Sequence, residues 1–136
     1  MWRTARPVLA LTLAVAFGLF GNLLARGQQP LKRTDLLKID LGEIKNSEMN
    51  VWVADIAPGA ATGRHTHPTP RFVYVIEGAV ILELDGKPAQ TFKTGEAFAE
   101  MAGEIHNLKN ASSTAAARAL GFQSAPKGQP LQTNAP

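Results

Sequence analysis

The chain contains three histidines, His65, His67 and His106, and the first two are separated by a single residue. In a β-strand, residues i and i+2 point to the same face, so His65 and His67 stand side by side, about 6–7 Å apart along the backbone. That spacing suits a shared metal ion, although His-x-His on its own is more often an ordinary pair of surface or turn histidines. The sequence has no cysteine, which removes thiolate metal sites, cysteine nucleophiles and a disulfide framework together. Any metal must be held by nitrogen and oxygen.

The 136 residues, 45% of them hydrophobic and 18% charged, allow one domain of ordinary globular composition. A pI near 9.5 invites a nucleic-acid reading, but the excess charge is confined to the N-terminus. Residues 1–27 carry Arg3, Arg6 and Arg26 and no acid, and the rest of the chain balances 11 Lys and Arg against 11 Asp and Glu. With no basic stripe and no phosphate-cradling glycine loop, no nucleic-acid partner is expected.

Residues 1–27 have the form of a secretory signal: a short cationic start, the uncharged run VLALTLAVAFGLFGNLL over residues 8–24, and Ala25-Arg26-Gly27 ahead of Gln28. The run is also just long enough to span a bilayer, so the segment is read either as a cleaved signal or as a retained apolar anchor helix. In both cases the arginines before it favour delivery of the remainder across the membrane, to a periplasmic or secreted location. Residues 28–37 are expected to be a linker, 38–123 the domain, and 124–136 (SAPKGQPLQTNAP in full from Ser124) a flexible Pro/Gln-rich tail.

Inside the domain, short β-type runs alternate with turn residues. Strands are expected at 38–41, 49–56, 63–67, 72–77, 79–84, 88–93, 97–101, 105–108 and 116–122, with Asp85-Gly86 as the clearest hairpin turn. Many short strands in about a hundred residues imply an all-β sandwich or small barrel. Val51, Val53, Val73, Val75, Leu82 and Phe98 are among the expected core residues. Trp52 and Tyr74, taken to alternate with barrel-facing valines, are placed on an outer face available to a homodimer.

Two stretches, GAATGRHTHPTPRFVYVIEG from Gly59 and GEAFAEMAGEIHNLKN from Gly95, resemble the paired motifs of the cupin superfamily, G-x5-H-x-H-x3-4-E-x6-G and G-x5-P-x-G-x2-H-x3-N. Eight of the ten fixed positions match, including all three histidines. Arg71 stands where the motif has glutamate, and Met101 where it has proline. The resemblance implies a double-stranded β-helix, or jelly roll, with His65, His67 and His106 converging inside the barrel as metal ligands. Three nitrogens would leave coordination positions open for water or substrate, as catalytic sites do.

By the same resemblance residue 71 would be the fourth ligand, a role closed to a guanidinium, which has no free lone pair. Arg71 shares strand parity with Val73 and Val75, so one reading places a positive charge at the mouth of the site, where it would attract a carboxylate or enolate. The other has Pro68 and Pro70 turn it to solvent. Phe98 is expected to point inward as a substrate-binding residue, and Glu100 with it as a fourth ligand, a catalytic base or the partner of Arg71; a rim position near Ala102-Gly103 is the alternative for Glu100.

The function expected is an exported metal-binding cupin. One form is a three-His oxygenase using iron or manganese, with zinc or nickel as alternative occupants, acting on a small anionic or phenolic substrate. The other is a sensor or carrier that binds a small molecule or a metal without turnover. A barrel that has lost its metal is disfavoured by the intact histidine trio.

Overall fold

A computed structural model describes residues 31–40, 42, 44 and 46–136. The expected signal or anchor helix, residues 8–24, lies outside them. All regular structure among the described residues is strand: β1 (Leu31–Asp40), β2 (Ser47–Ile56), β3 (His65–Thr66), β4 (Arg71–Glu77), β5 (Ala79–Leu84), β6 (Gln90–Lys93), β7 (Ala97–Glu100), β8 (His106–Asn110), β9 (Ala117–Pro126) and β10 (Thr133–Asn134). They form two five-stranded sheets, β1-β2-β9-β4-β7 and β10-β3-β8-β5-β6, with every pairing antiparallel. The expected jelly roll is what the chain adopts.

Period-two patterning drives this arrangement. Along β4, Arg71, Val73 and Val75 are buried while Phe72, Tyr74 and Ile76 are exposed; along β9, Ala117, Ala119, Gly121, Gln123 and Ala125 are buried. A core of Ile56, Ala60, Val75, Val80, Leu82, Leu108 and Ala117 fills one end of the barrel. Its burial is the main favourable term holding the sheets face to face. Sharp reversals supply the corners. Gly78, between β4 and β5, has φ +75°, and a Cβ there would lie 3.0 Å from the Ala116 carbonyl oxygen, so both conformation and space demand glycine. The Asp85-Gly86 turn forms and is closed by Lys87 N donating to Leu84 O at 3.1 Å, but the β5–β6 ladder resumes only at Gln90.

Asn110, the last position of the second motif, is a structural clamp. Its Nδ2 donates to the carbonyls of Ile56, Ala57 and Ala115 at 3.1, 3.1 and 2.8 Å, and its Oδ1 accepts from Ser112 N at 2.8 Å. One buried amide thus ties the start of the β2–β3 connection to the β8–β9 loop.

Three expectations change. Part of the presumed linker is strand: β1 begins at Leu31 and pairs with β2 along its length. The tail, expected to be flexible, continues β9 to Pro126 and returns as β10 beside β3, with Thr133 opposite Thr66 and Asn134 opposite His65. Trp52 is 6% exposed and faces the interior, with Glu48, Asn50, Ala54 and Ile56 on the buried parity of β2. The strand is apolar on both faces around Trp52, so alternation alone does not say which face is inside. Room for the indole comes from its register partner, Gly121, where a Cβ would meet Trp52 Cε2 and Cζ2 at 2.5 Å. Tyr74 does lie on the outer face, 43% exposed.

Candidate metal centre

The register of the second sheet sets His65 directly opposite His106 across β3 and β8, and His67 follows at the end of β3. The three rings gather with centroids 4.5–4.9 Å apart, and each residue is at most 2% exposed. Glu100, 1% exposed, enters from the other sheet at the end of β7. One ligand-type atom from each of His65, His67, Glu100 and His106 lies within 4.8 Å of the others.

Hydrogen bonding fixes which nitrogens are free. Nδ1 of His65 lies 2.8 Å from Gly63 O, Nδ1 of His106 2.9 Å from Glu104 O, and Nδ1 of His67 2.9 Å from Leu131 O. A carbonyl oxygen only accepts, so each Nδ1 carries a proton and donates it. A neutral imidazole has one N–H, which leaves all three Nε2 atoms as bare lone pairs. His67 Nε2 lies 3.1 Å from His106 Nε2 and 3.1 Å from Glu100 Oε2, while His106 Nε2 lies 3.6 Å from the same oxygen. Among the described residues, His65 Nε2 is buried with no hydrogen-bond partner.

Acceptors facing acceptors in a buried cluster are unfavourable unless a cation or protons sit among them. A metal about 2.0–2.1 Å from each ligand places neighbouring ligand atoms roughly 3.0–3.4 Å apart for right-angled to tetrahedral geometry. Around His67, His106 and Glu100 two of the three separations, both 3.1 Å, fall in this range and the third, 3.6 Å, lies just outside it. The cluster could therefore hold a metal ion through three nitrogens and one oxygen.

Without a metal, protons take part of this load. Burial pushes the Glu100 carboxyl up, but hydrogen bonds from His106 and His67 and the Arg71 charge outweigh it and bring the pKa down to about 2. Burial pushes His106 down, yet its hydrogen bond to Glu100 and the carboxylate charge leave it above the ordinary histidine value. His65 is lowered, by burial first.

Arg71 points into the site at 8% exposure, so Pro68 and Pro70 do not turn it to solvent. Its cross-strand partner on β7 is Glu100: the acid absent from position 71 is supplied from the neighbouring strand at the same level. Arg71 Nε donates to Gln123 Oε1 at 3.0 Å, and Nη1 lies 3.7 Å from Glu100 Oε2. Nη2 has only long contacts, 3.5 Å each, to Leu131 O and Gln132 Oε1. The guanidinium carbon sits 4.9 Å from the Trp52 ring centroid, and that of Arg33 4.1 Å from it. Burial lowers Arg71 to about 10, against the opposing pull of Glu100, so it remains a cation at neutral pH.

A cavity of about 90 Å3 opens beside the cluster, lined by His65, Glu100, Arg71, Trp52, Arg33 and Gln132 among others. Phe98 is not among its walls. It has the expected inward parity but lies two residues deeper than Glu100, level with Val73, and stacks on Phe92 with centroids 4.4 Å apart. Strand alternation gives side, not depth, which is why a core residue was expected to touch substrate.

Sequence reasoning placed Trp52 on an outer dimer face rather than in the site, and did not single out Gln123, Leu131 or Gln132. Gln123 carried a usable signal, as the polar member of a small-residue inward series on β9. Leu131 acts through its main chain and carried none.

The Cupin domain family model matches residues 52–121. A curated relative, the beta-alanine degradation protein BauB of Pseudomonas aeruginosa, is 36% identical over 72 residues, which cover 52% of this chain and 76% of the relative. Among solved structures, a cupin-like protein from Thermotoga maritima superposes with a TM-score of 0.58 at 22% identity, covering 73% of this chain and 77% of that one. The polyketide cyclase RemF of Streptomyces resistomycificus gives 0.60 at 24%, covering 78% and 71%. A cupin superfamily protein from Desulfitobacterium hafniense gives 0.59 at 10%, covering 71% and 78%. These structural likenesses establish the fold.

Proposed function

The chain belongs to the cupin family, and from that premise we propose that it is an exported metal-dependent protein acting on a small carboxylate. His65, His67, His106 and Glu100 are the ligands and Arg71 is the substrate anchor. The observation that carries this reading is the convergence of three Nε2 lone pairs, each fixed by an Nδ1–H donated to a carbonyl, on one buried carboxylate.

A divalent ion in this setting, iron or manganese for an oxygenase and zinc or nickel as alternatives, supplies Lewis acidity and a template for substrate. The chain's own groups do the rest. The Nη edge of Arg71, left with long contacts, donates to a substrate carboxylate and holds it next to the cluster. Trp52 forms an apolar wall and backs the guanidinium through cation–π attraction. A carboxylate held near 2 is a poor proton acceptor at neutral pH, which favours Glu100 as a ligand over a general base. The cavity beside the cluster is small, about 90 Å3, and its walls combine the Arg71 and Arg33 cations with the Trp52 ring, which suits a small acid. The name of the Pseudomonas relative, which concerns beta-alanine, itself a short carboxylate, is in keeping with this.

The alternative is binding without turnover. The small cavity and the enclosure of Arg71 by Leu131 and Gln132 favour it. Metal analysis of the purified protein followed by oxygen uptake with short carboxylates separates the two: metal with uptake supports the oxygenase, metal and carboxylate binding without uptake the carrier. His106→Ala should lose the ion, whereas Arg71→Ala should keep it and lose carboxylate binding. Full metal retention by His106→Ala would overturn the ligand assignment. Export rests on residues 1–27; a mature N-terminus near Gln28 in the extracytoplasmic fraction would support cleavage.

A further inference from the structure

Two of the three histidines are oriented locally and the third is not. His65 and His106 each donate from Nδ1 to the carbonyl two residues earlier, Gly63 and Glu104, so folding of their own strands fixes them. His67 donates to Leu131 O, 64 residues away, on the segment that returns over the barrel mouth. The same carbonyl accepts from Gln123 Nε2 at 2.9 Å, and Arg71 Nη2 lies 3.5 Å from it.

We propose that the Leu131 main-chain carbonyl is a positioning group for His67, and that docking of the 127–136 segment and metal occupancy of the cluster are thermodynamically coupled. The inference rests on the metal reading above and adds a dependence on a segment outside both histidine motifs. When the segment leaves, His67 Nδ1 loses its acceptor, the ring is free to turn or change tautomer, and the lone pair at Nε2 is no longer held toward the other ligands. Loss of such an orienting partner typically weakens metal affinity 10–100-fold. Linkage is reciprocal, so the ion must favour the docked segment by the same factor.

The segment is well suited to respond. Beyond Pro126 the ties to the barrel among the described residues are Lys127 N donating to Asn46 O at 2.9 Å and Lys127 Nζ to Asp40, the two-residue pairing of β10 with β3, Ala135 N donating to Arg64 O at 2.9 Å, Arg64 donating to Pro136 O, and the bonds at Leu131 and Gln132, mostly backbone contacts at the surface. Thr133 and Asn134 are exposed. Segments with few buried contacts open at low free-energy cost.

The test uses the full chain and zinc alone. Amide exchange over residues 131–135, followed by mass spectrometry, should slow 10–100-fold on adding zinc. Ala135→Pro, which deletes the donor to Arg64 O, should weaken zinc binding by a similar factor and move the His67 ring 15N shifts while leaving those of His65 and His106 in place. Unchanged exchange in a wild-type chain that does bind zinc would overturn the coupling, even if the proline variant failed to fold. Wild-type zinc affinity and His67 shifts in a folded Ala135→Pro chain would do the same. A wild-type chain that takes up no zinc would bring down the metal reading and the coupling together, an outcome distinguishable from both.

Discussion

Proton release on metal binding tests the lone-pair argument directly. In the metal-free protein, His106 is held above the ordinary histidine value of about 6.5 by its bond to Glu100, after burial has pushed it down. At pH 6 it is therefore an imidazolium, donating from Nδ1 to Glu104 O and from Nε2 toward Glu100. A metal needs that Nε2 lone pair, so it must displace the proton. Below the His106 pKa the affinity should rise about tenfold per pH unit, equivalent to about 1.4 kcal/mol per unit, and this contribution should level off above it. His65, lowered by burial, adds less proton release than an ordinary histidine would. Titration calorimetry with zinc at pH 6, in buffers of differing ionisation heat, should count about one proton from His106 per ion. In Glu100→Gln the upward push on His106 is gone, so the break should move to lower pH and the plateau affinity should fall with the lost negative ligand. Tight zinc binding at pH 6 with no proton released would refute the protonation scheme.

Acid sensitivity of the metal-free protein follows from the same cluster. Glu100 is depressed from 4.5 to about 2, so its contribution, about 3 kcal/mol and shared with its partners, is present above 4.5 and lost as pH falls toward 2. His106 is shifted the other way, and its share is present below about 6.5 and lost as pH rises through its raised pKa. Urea midpoints across pH 2–8 should show the acid loss in wild type and not in Glu100→Gln. Gly121→Ala should cost about 1–3 kcal/mol through overpacking against Trp52, read as a lower melting temperature with altered tryptophan fluorescence. Asn110→Ala removes four hydrogen bonds at a buried clamp and should cost about 2–4 kcal/mol in chemical denaturation.

Much of the site was legible because strand parity is a strong constraint. The i, i+2 spacing put His65 and His67 on one face, the motif resemblance added His106, and alternation along 97–101 turned Glu100 inward; the structure brings all four together. Parity also favoured an inward Arg71, and the two flanking prolines left an alternative that the β4–β7 and β4–β9 pairings remove. Parity does not resolve depth, as Phe98 shows. It also fails where both faces of a strand are apolar, as around Trp52. The strand pairing of the tail was not legible for a different reason. Its proline and glutamine content promises little side-chain burial, but the segment is fastened mainly through backbone groups such as Leu131 O and Ala135 N. Every residue type offers those, so composition is blind to them.

The exchange of acid and base between β4 and β7 bears on how binding sites diverge. Residues 71 and 100 are far apart in the chain yet face each other on one rung of the β4–β7 ladder, so an acid at either position reaches much the same place. A site can therefore carry its acid one strand over, leaving the set of donor atoms nearly intact while the vacated position holds a cation. Surveys that align letters column by column will score such a protein as broken. Surveys that compare donor positions in space will find the same donors, with a cation beside them.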